Sequence, residues 1–194
     1  MAYKPPIAVY DACVLYPFHL RNLLMQCAVD RLVEARWSDA IHEEWIRSLL
    51  TRAPALSRER LIATRDLMNQ VVPDATVTGY ERHIPSVSLP DPDDRHVVAA
   101  AIESGASVIV TWNLRDFPAE QMAKHGLRCT SPDDFLSALC DALPAQLMAV
   151  IARAHRNLRQ SPPSMSDYIA TLEAQKLRRF VTRIRKRSGE LGAD

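Results

Sequence analysis

The chain has 194 residues, of which 47% are hydrophobic and 24% charged, as in an ordinary globular protein with a full core. It contains five glycines and no glycine-rich phosphate loop, which argues against the common nucleotide-binding motifs. The net charge of +1 by itself says nothing about what the protein binds, but 20 of the 24 basic residues are arginines. Arginine binds phosphate with two donors and suits a nucleic-acid ligand, although the codon bias of a GC-rich genome would give the same composition.

The cysteines and the N-terminus predict a cytoplasmic protein. No CxxC pair occurs, so neither a disulfide framework nor a zinc site is expected, and reduced thiols in the cytosol are the simple interpretation. The first six residues lack the apolar segment of a signal peptide. No apolar run approaches the ~18 residues that cross a membrane, so we expect no membrane association.

Strand and helix patterns alternate along the first 142 residues. Ser38 and Ser131 are placed to cap helices, Pro73 to end one, and Gly105 to follow one. The predicted strands are residues 7–11, 75–78, 107–111 and 127–130, with a short extended piece at Trp37. The predicted helices are residues 19–36, 40–50, 57–72, 92–104, 119–125 and one that starts after Ser131, and residues 85–92 form a loop.

This β-then-α order predicts an α/β fold with three α/β/α layers around a central, mostly parallel sheet. The pattern changes near residue 142, where helices are predicted over 147–159 and 165–187 with a break at 161–164. We therefore expect a domain over residues 1–142 and an arginine-rich helical extension over 143–194. Residues 176–187 contain seven basic side chains, which could form a solvated helix face, an RNA-binding surface or a contact with a protein partner.

Acidic residues lie where the predicted strands end or helices begin. Asp11 ends the first strand, Asp94 opens a helix, and Asp116 follows a later strand by a short loop. In an open parallel sheet such residues meet at the carboxyl edge, where chemistry gathers. Carboxylates brought together there repel one another unless a cation lies between them. The pattern predicts a divalent-metal site and a phosphodiester or related substrate.

Helix geometry separates inward acids from solvated ones. Asp94 shares the apolar stripe of its predicted helix, whereas Asp93 lies off that stripe. Glu44 borders the apolar face of its helix, whereas Glu43 points to water. Glu44 and Asp94 are thus the candidate ligands.

Three further residues flank these acids. Asp91 precedes Pro92 and is a good N-cap, so it is a candidate additional acid whose presence capping alone would explain. Thr111 and Asn113 could orient water or a phosphate oxygen but supply no charge. Asp11 and Asp116 also have a plain alternative, because aspartate often forms turns.

Four motifs together carry a resemblance to a known family. They are Val9-Tyr10-Asp11-Ala12, Ile41-x-x-Glu44-Trp45, Asp91-x-x-Asp94-x-x-Val97 and Thr111-x-Asn113-x-x-Asp116-Phe117. In this order, over roughly residues 5–140, they resemble the PIN-domain ribonucleases, most closely the VapC-type toxins of bacterial toxin–antitoxin pairs. The tail resembles the helical extension of a longer VapC subgroup.

The resemblance implies an Mg²⁺- or Mn²⁺-dependent endoribonuclease that leaves 5′-phosphate and 3′-hydroxyl ends. Carried over by position, the catalytic and metal-binding acids are Asp11, Glu44, Asp94 and Asp116. Many relatives have an acid where this chain has Asn113, so Asp116 must supply the fourth carboxylate. A small antitoxin protein and a homodimer are also implied.

Other enzyme and binding classes fit less well. Asp91-Pro92-Asp93 would suit a Toprim nuclease, but that fold requires a glutamate where this chain has Asp11. A receiver domain requires paired acids after the first strand and a strand-end lysine, and neither is present. The non-enzymatic alternative is a PIN-like scaffold that binds RNA or protein without cutting. Four acids argue against it, because burying unpaired carboxylates without a metal is costly.

Overall fold

The computed structural model describes residues 3–158 and 163–191, with side chains described as far as residue 187. Short 3-10 helices cover Pro73–Ala75, Tyr80–Ser86 and Pro92–Asp94. The strands are β1 (Ile7–Tyr10), β2 (Glu34–Arg36), β3 (Val108–Val110) and β4 (Arg128–Thr130). The helices are α1 (Ala12–Leu15), α2 (Phe18–Val29), α3 (Asp39–Arg52), α4 (Arg58–Val71), α5 (Arg95–Glu103), α6 (Ala119–Ala123), α7 (Pro132–Ala142), α8 (Pro144–Arg156), α9 (Met165–Ala174) and α10 (Arg178–Leu191).

The four strands form one parallel sheet in the order β2-β1-β3-β4. The chain moves from β1 outward to β2, then returns across the sheet to β3 and β4. Because parallel crossovers are right-handed, connections that run in opposite directions lie on opposite faces of the sheet. The predicted three-layer α/β fold with a parallel sheet is therefore confirmed. Ala8, Val9 and Tyr10 of the inner strand β1 are completely buried, as expected of a strand covered on both faces.

Local hydrogen bonds explain where several helices begin and end. The hydroxyls of Ser38, Ser57 and Ser131 accept hydrogen bonds from main-chain N–H groups in the first turns of α3, α4 and α7. Gly105 follows α5 with a φ of 64°, a left-handed conformation that glycine adopts without a side-chain clash. The caps at Ser38, Ser131 and Gly105 lie where the sequence predicted them.

Two expectations for the region before residue 80 were wrong. The helix predicted over 19–36 ends at Val29, and residues 34–36 form the edge strand β2. Arg31, with a φ of 60°, turns the chain between them, so Val33 is buried at the sheet rather than on a helix face. The strand predicted over 75–78 is reduced to a single bridge between Trp37 and Thr76, because Pro73 starts a 3-10 turn there. The short helix α1 was not predicted.

The C-terminal helices also differ from the expectation. The helix predicted over 165–187 is two helices, α9 and α10, separated at Lys176, whose φ is 70°. The helix predicted over 147–159 spans Pro144–Arg156, and residue 159 and part of the predicted break lie outside the described residues. Apolar spacing continues across the Lys176 turn because both helices bury a face, so periodicity alone did not reveal the break.

The C-terminal helices pack onto the sheet domain. α8 and α9 contact α2, and α10 contacts α7. The buried carboxylate of Asp133 in α7 accepts hydrogen bonds from the main-chain N–H groups of Arg179 (3.0 Å) and Phe180 (2.8 Å), at the start of α10. The Asp133 side chain of α7 thus caps α10, a helix that begins 45 residues later in the chain. Among the described residues, no helix combines the length and the apolar character needed to span a membrane.

Candidate functional site

The parallel register of β1 and β3 brings Asp11 beside Thr111. Tyr10 lies opposite Val110, so the next residue of each strand emerges at the same edge of the sheet. The Asp11 main-chain N–H donates to the Val110 carbonyl at 3.1 Å, which extends the pairing to this edge. Two residues that are 100 positions apart in sequence therefore share one small region.

Asp11 is nearly fully buried and accepts three hydrogen bonds. Thr111 Oγ1 donates to Asp11 Oδ2 at 2.6 Å, Cys13 Sγ donates to the same oxygen at 3.1 Å, and the Ala12 N–H donates to Oδ1 at 2.6 Å. Burial raises the pKa of Asp11, and these hydrogen bonds oppose that rise. The Thr111 hydroxyl, predicted to orient substrate, is thus engaged in positioning Asp11.

Asp94 lies at the start of α5, where the predicted acids meet. The residue is half-buried, and the neighbouring Asp93 is exposed, as the helix geometry predicted. Burial first, and then the carboxylates of nearby acids, raise the pKa of Asp94 to about 7. In decreasing order of effect, these acids are Asp11, Asp91, Glu44 and Asp116. The structure therefore places all four predicted catalytic acids, and the candidate additional acid, in one electrostatic cluster.

Glu44 and Glu43 point to different sides of α3. Glu44 Oε2 lies 3.5 Å from His96 Nε2, and its side chain is 32% exposed. Glu43 instead pairs with Arg58 at 2.7 Å, on the solvent side. Of these two acids Glu44 faces the acid cluster, as the helix geometry predicted.

Asp91 and Asp116 occupy the outer part of the cluster. Asp91 is exposed and accepts a hydrogen bond from the Asp93 N–H at 2.9 Å, so it does cap the 3-10 turn. Asp116 is half-buried in a turn closed by its N–H and the Asn113 carbonyl, 2.9 Å apart. The main-chain N–H of Asn113 donates to Thr111 Oγ1 at 2.9 Å, and Asn113 is exposed. Of the two predicted substrate-orienting groups, the Asn113 side-chain amide is therefore more available to a ligand than the Thr111 hydroxyl.

His42 has a structural role. It is fully buried, its Nδ1 accepts a hydrogen bond from Trp45 Nε1 at 2.9 Å, and its Nε2 lies 3.2 Å from Asn69 Oδ1. Burial lowers the pKa of His42 to about 4. The ring is neutral at physiological pH and belongs to the core.

A cavity of about 290 Å³ adjoins the acid cluster. The Arg52 guanidinium lies over the Tyr16 ring, 5.7 Å from its centroid, and contributes positive charge. Sequence reasoning missed this cavity, although Glu44, Ser48 and Arg52 recur every four residues along one face of α3. The lining residues are Ala12, Cys13, Tyr16, Glu44, Ser48, Arg52 and Asn113.

The donor chemistry of the cluster fits a hard divalent cation. Carboxylate oxygens are the ligands that Mg²⁺ and Mn²⁺ prefer, and Mg²⁺ needs few of them because it keeps several waters. Within the described residues, no three His, Cys, Asp or Glu side chains are arranged to hold an ion as they stand. Binding would therefore require rotation of the exposed or half-buried acids toward Asp11, whose buried carboxylate is held by three hydrogen bonds.

Comparison with known proteins identifies the family. A PIN domain model matches residues 8–115, a stretch that contains Asp11, Glu44 and Asp94 and ends one residue before Asp116. A VapC50 C-terminal domain model matches residues 132–186, which begin at α7. No solved structure matches the chain significantly.

A relative from Mycobacterium tuberculosis (strain ATCC 25618 / H37Rv), named "Putative ribonuclease VapC50", is 43% identical over 58 residues. That alignment covers 30% of this chain and 34% of the relative, so the chain spans about a third of the curated relative it matches. The PIN domain match is broader, since it covers more than half of the 194 residues. On that basis, the chain belongs to the PIN domain family.

Proposed function

We propose that this protein is a metal-dependent endoribonuclease, and that it acts as the toxin of a toxin–antitoxin pair. The observation that carries the proposal is the cluster around Asp94, where burial and the carboxylates of acids from other segments of the chain raise the cost of ionising Asp94. Such repulsion is relieved by a cation. PIN domain membership and the similarity to a protein named as a ribonuclease support RNA as the substrate.

Each acid has a proposed role. Asp11, Glu44, Asp94 and Asp116 would hold Mg²⁺ or Mn²⁺, and Asp91 would add negative charge from the rim. When bound, the metal would lower the pKa of a water and offset the charge that builds up on the phosphoryl group. Thr111 and Cys13 keep the Asp11 carboxylate in place through their hydrogen bonds.

The proposed reaction is hydrolysis of an RNA phosphodiester. A water oxygen forms the new bond to phosphorus and the O3′–P bond breaks, so that the products are a 5′-phosphate and a 3′-hydroxyl. The Asn113 side chain, which is exposed and lines the cavity, would donate a hydrogen bond to a phosphate oxygen. Arg52 in the same cavity supplies positive charge for the strand.

The test is cleavage of total bacterial RNA by the purified protein, with Mg²⁺, with Mn²⁺ and with a chelator. We expect discrete products from the wild type and from Asp93→Asn, and none from Asp11→Asn or Asp94→Asn. Asp93 is the matched control because it is an exposed neighbour outside the cluster. Equal cleavage by Asp93→Asn and Asp94→Asn would contradict the metal-site assignment.

A binding scaffold that does not cut RNA is the alternative outcome of the same test. A folded wild type that cleaves nothing, and whose melting temperature does not rise with Mg²⁺ or Mn²⁺, would favour it.

We also propose a cytoplasmic location, a homodimer and a small antitoxin that places an arginine or a blocking segment at the acid cluster. Recovery of cleavage after removal of a co-purified small protein would support the antitoxin.

A further inference from the structure

Helix α10 does not offer its arginines as a free RNA-binding face. Three of them form ion pairs of 2.7–2.9 Å with carboxylates of α7 and α9. These contacts dock α10 onto its neighbours and favour the structural interpretation for these three arginines. The pairs are Arg179 with Asp134, Arg183 with Asp141, and Arg185 with Glu173.

Lys176, in the turn between α9 and α10, behaves differently. Its φ of 70° is a left-handed conformation that disfavours a side chain, and glycine is the usual residue at the end of a helix in this geometry. The turn is held from both sides, because Gln175 Oε1 accepts a hydrogen bond from the Leu20 N–H at 3.1 Å and Leu177 is fully buried. A lysine therefore occupies a firmly held position that the backbone alone would give to glycine.

The Lys176 side chain lies beside Trp112, the residue that follows Thr111. Its Nζ is 5.9 Å from the centroid of the Trp112 ring. The Trp112 N–H donates to Cys13 Sγ at 3.2 Å, and Cys13 in turn donates to Asp11. Within the described part of the chain Lys176 is exposed and forms no ion pair. An ammonium group without a carboxylate partner thus lies beside Trp112, whose main chain is linked to Asp11 through Cys13.

We propose that Lys176 binds a phosphate of the RNA strand that lies over the acid cluster, so that the C-terminal extension completes the substrate-binding surface. A cluster of carboxylates repels a polyanion, and a cation at its rim offsets that repulsion. The approach of the ammonium to within 5.9 Å of the Trp112 ring centroid favours this placement of the side chain through a cation–π attraction. This inference rests on the proposed function, because it requires RNA to occupy the site.

The test is binding of a labelled, short single-stranded RNA of mixed sequence to Asp94→Asn protein, followed by fluorescence anisotropy over a range of salt concentrations. Lys176→Gly is the main variant, because glycine suits the left-handed backbone and should not lower the melting temperature. We expect about fivefold weaker binding and a salt-dependence slope smaller by about 0.7, the value of one phosphate contact on a single strand. Lys176→Arg should retain the slope.

Lys186→Ala is the matched control, since it removes the same charge from an exposed site on α10, beside Arg183 and Asp141. It should leave both the affinity and the slope close to those of the parent protein. If RNA binds but Lys176→Gly matches the parent in affinity and slope, the inference about Lys176 is overturned and the proposed function stands. If the parent protein binds no RNA and the wild type cleaves none, the proposed function fails and the inference fails with it.

Discussion

Asp94→Asn should stabilise the metal-free protein while it abolishes the proposed activity. The rise in the pKa of Asp94 from 3.8 to about 7 corresponds to about 4 kcal/mol of unfavourable free energy for the ionised carboxylate. Because Asp94 is only half-buried, solvent screening reduces the expected gain to about 1–2 kcal/mol. For a domain of this size that is a rise in melting temperature of roughly 2–8 °C.

The effect has a defined pH window. Above pH 7 the carboxylate is ionised in both the folded and unfolded states, and the folded state carries the full cost. As pH falls from 7 toward 3.8, the folded protein takes up the proton before the unfolded chain does, so the cost shrinks. The stabilisation by Asp94→Asn should therefore be largest at pH 8 and clearly smaller at pH 5.

Thermal melts in the presence of a chelator measure this directly, with Asp93→Asn as the control. Asp93 is exposed, so its variant should melt within about 1 °C of the wild type. Addition of Mg²⁺ should then raise the melting temperature of the wild type but not that of Asp94→Asn. An Asp94→Asn protein that melts at or below the wild-type temperature at pH 8 would refute the repulsion argument.

Two further predictions concern stability away from the metal. Asp133→Ala removes the cap on α10 and leaves two helix N–H groups without their buried acceptor, so urea denaturation should show a loss of about 2–3 kcal/mol. Asp134→Ala, which loses an exposed ion pair and a local capping contact, should cost about 1 kcal/mol, and equal losses would contradict the capping role. His42 is neutral in the folded state with a pKa of about 4, so in a chelator His42 should contribute a loss of stability of up to about 3 kcal/mol as pH drops from 6.5 to 4, because the unfolded chain binds the proton first. Asp94 acts in the opposite direction over this window, so the loss is read from the difference between the wild type and His42→Gln. That loss should be absent in His42→Gln, and an identical pH profile for both proteins would disprove it.

The sequence determined the elements whose causes are local. Serine hydroxyls capped helices where predicted because the acceptor and the N–H it binds lie three residues apart. The positions of Asp11 at the end of a strand and Asp94 at the start of a helix also followed from the local pattern. The alternation of predicted strands and helices was enough to locate both acids. Helix geometry likewise separated Glu44 from Glu43 without knowledge of any neighbour.

The edge of the sheet and the helix breaks were harder to predict. The apolar spacing over residues 19–36 and 165–187 fits one continuous helix in each case. The turns at Arg31 and Lys176 that interrupt these segments use left-handed conformations, and neither position is a glycine that would have marked the turn in the sequence. A side chain in that conformation is disfavoured locally and persists only where tertiary contacts hold it. Neither residue propensity nor apolar periodicity therefore reveals such turns.

Tertiary structure alone decided which groups touch across long separations. The Thr111 hydroxyl reaches Asp11 because β3 pairs with β1, and Asp133 caps α10 because α7 and α10 pack together. The placement of Lys176 over Trp112 depends in the same way on how the extension docks. The sequence by itself determined which residues carry charge and which elements they end or begin. Packing decided their partners, because hydrogen bonds and charge–charge interactions act over a few ångströms in space, whatever the distance along the chain.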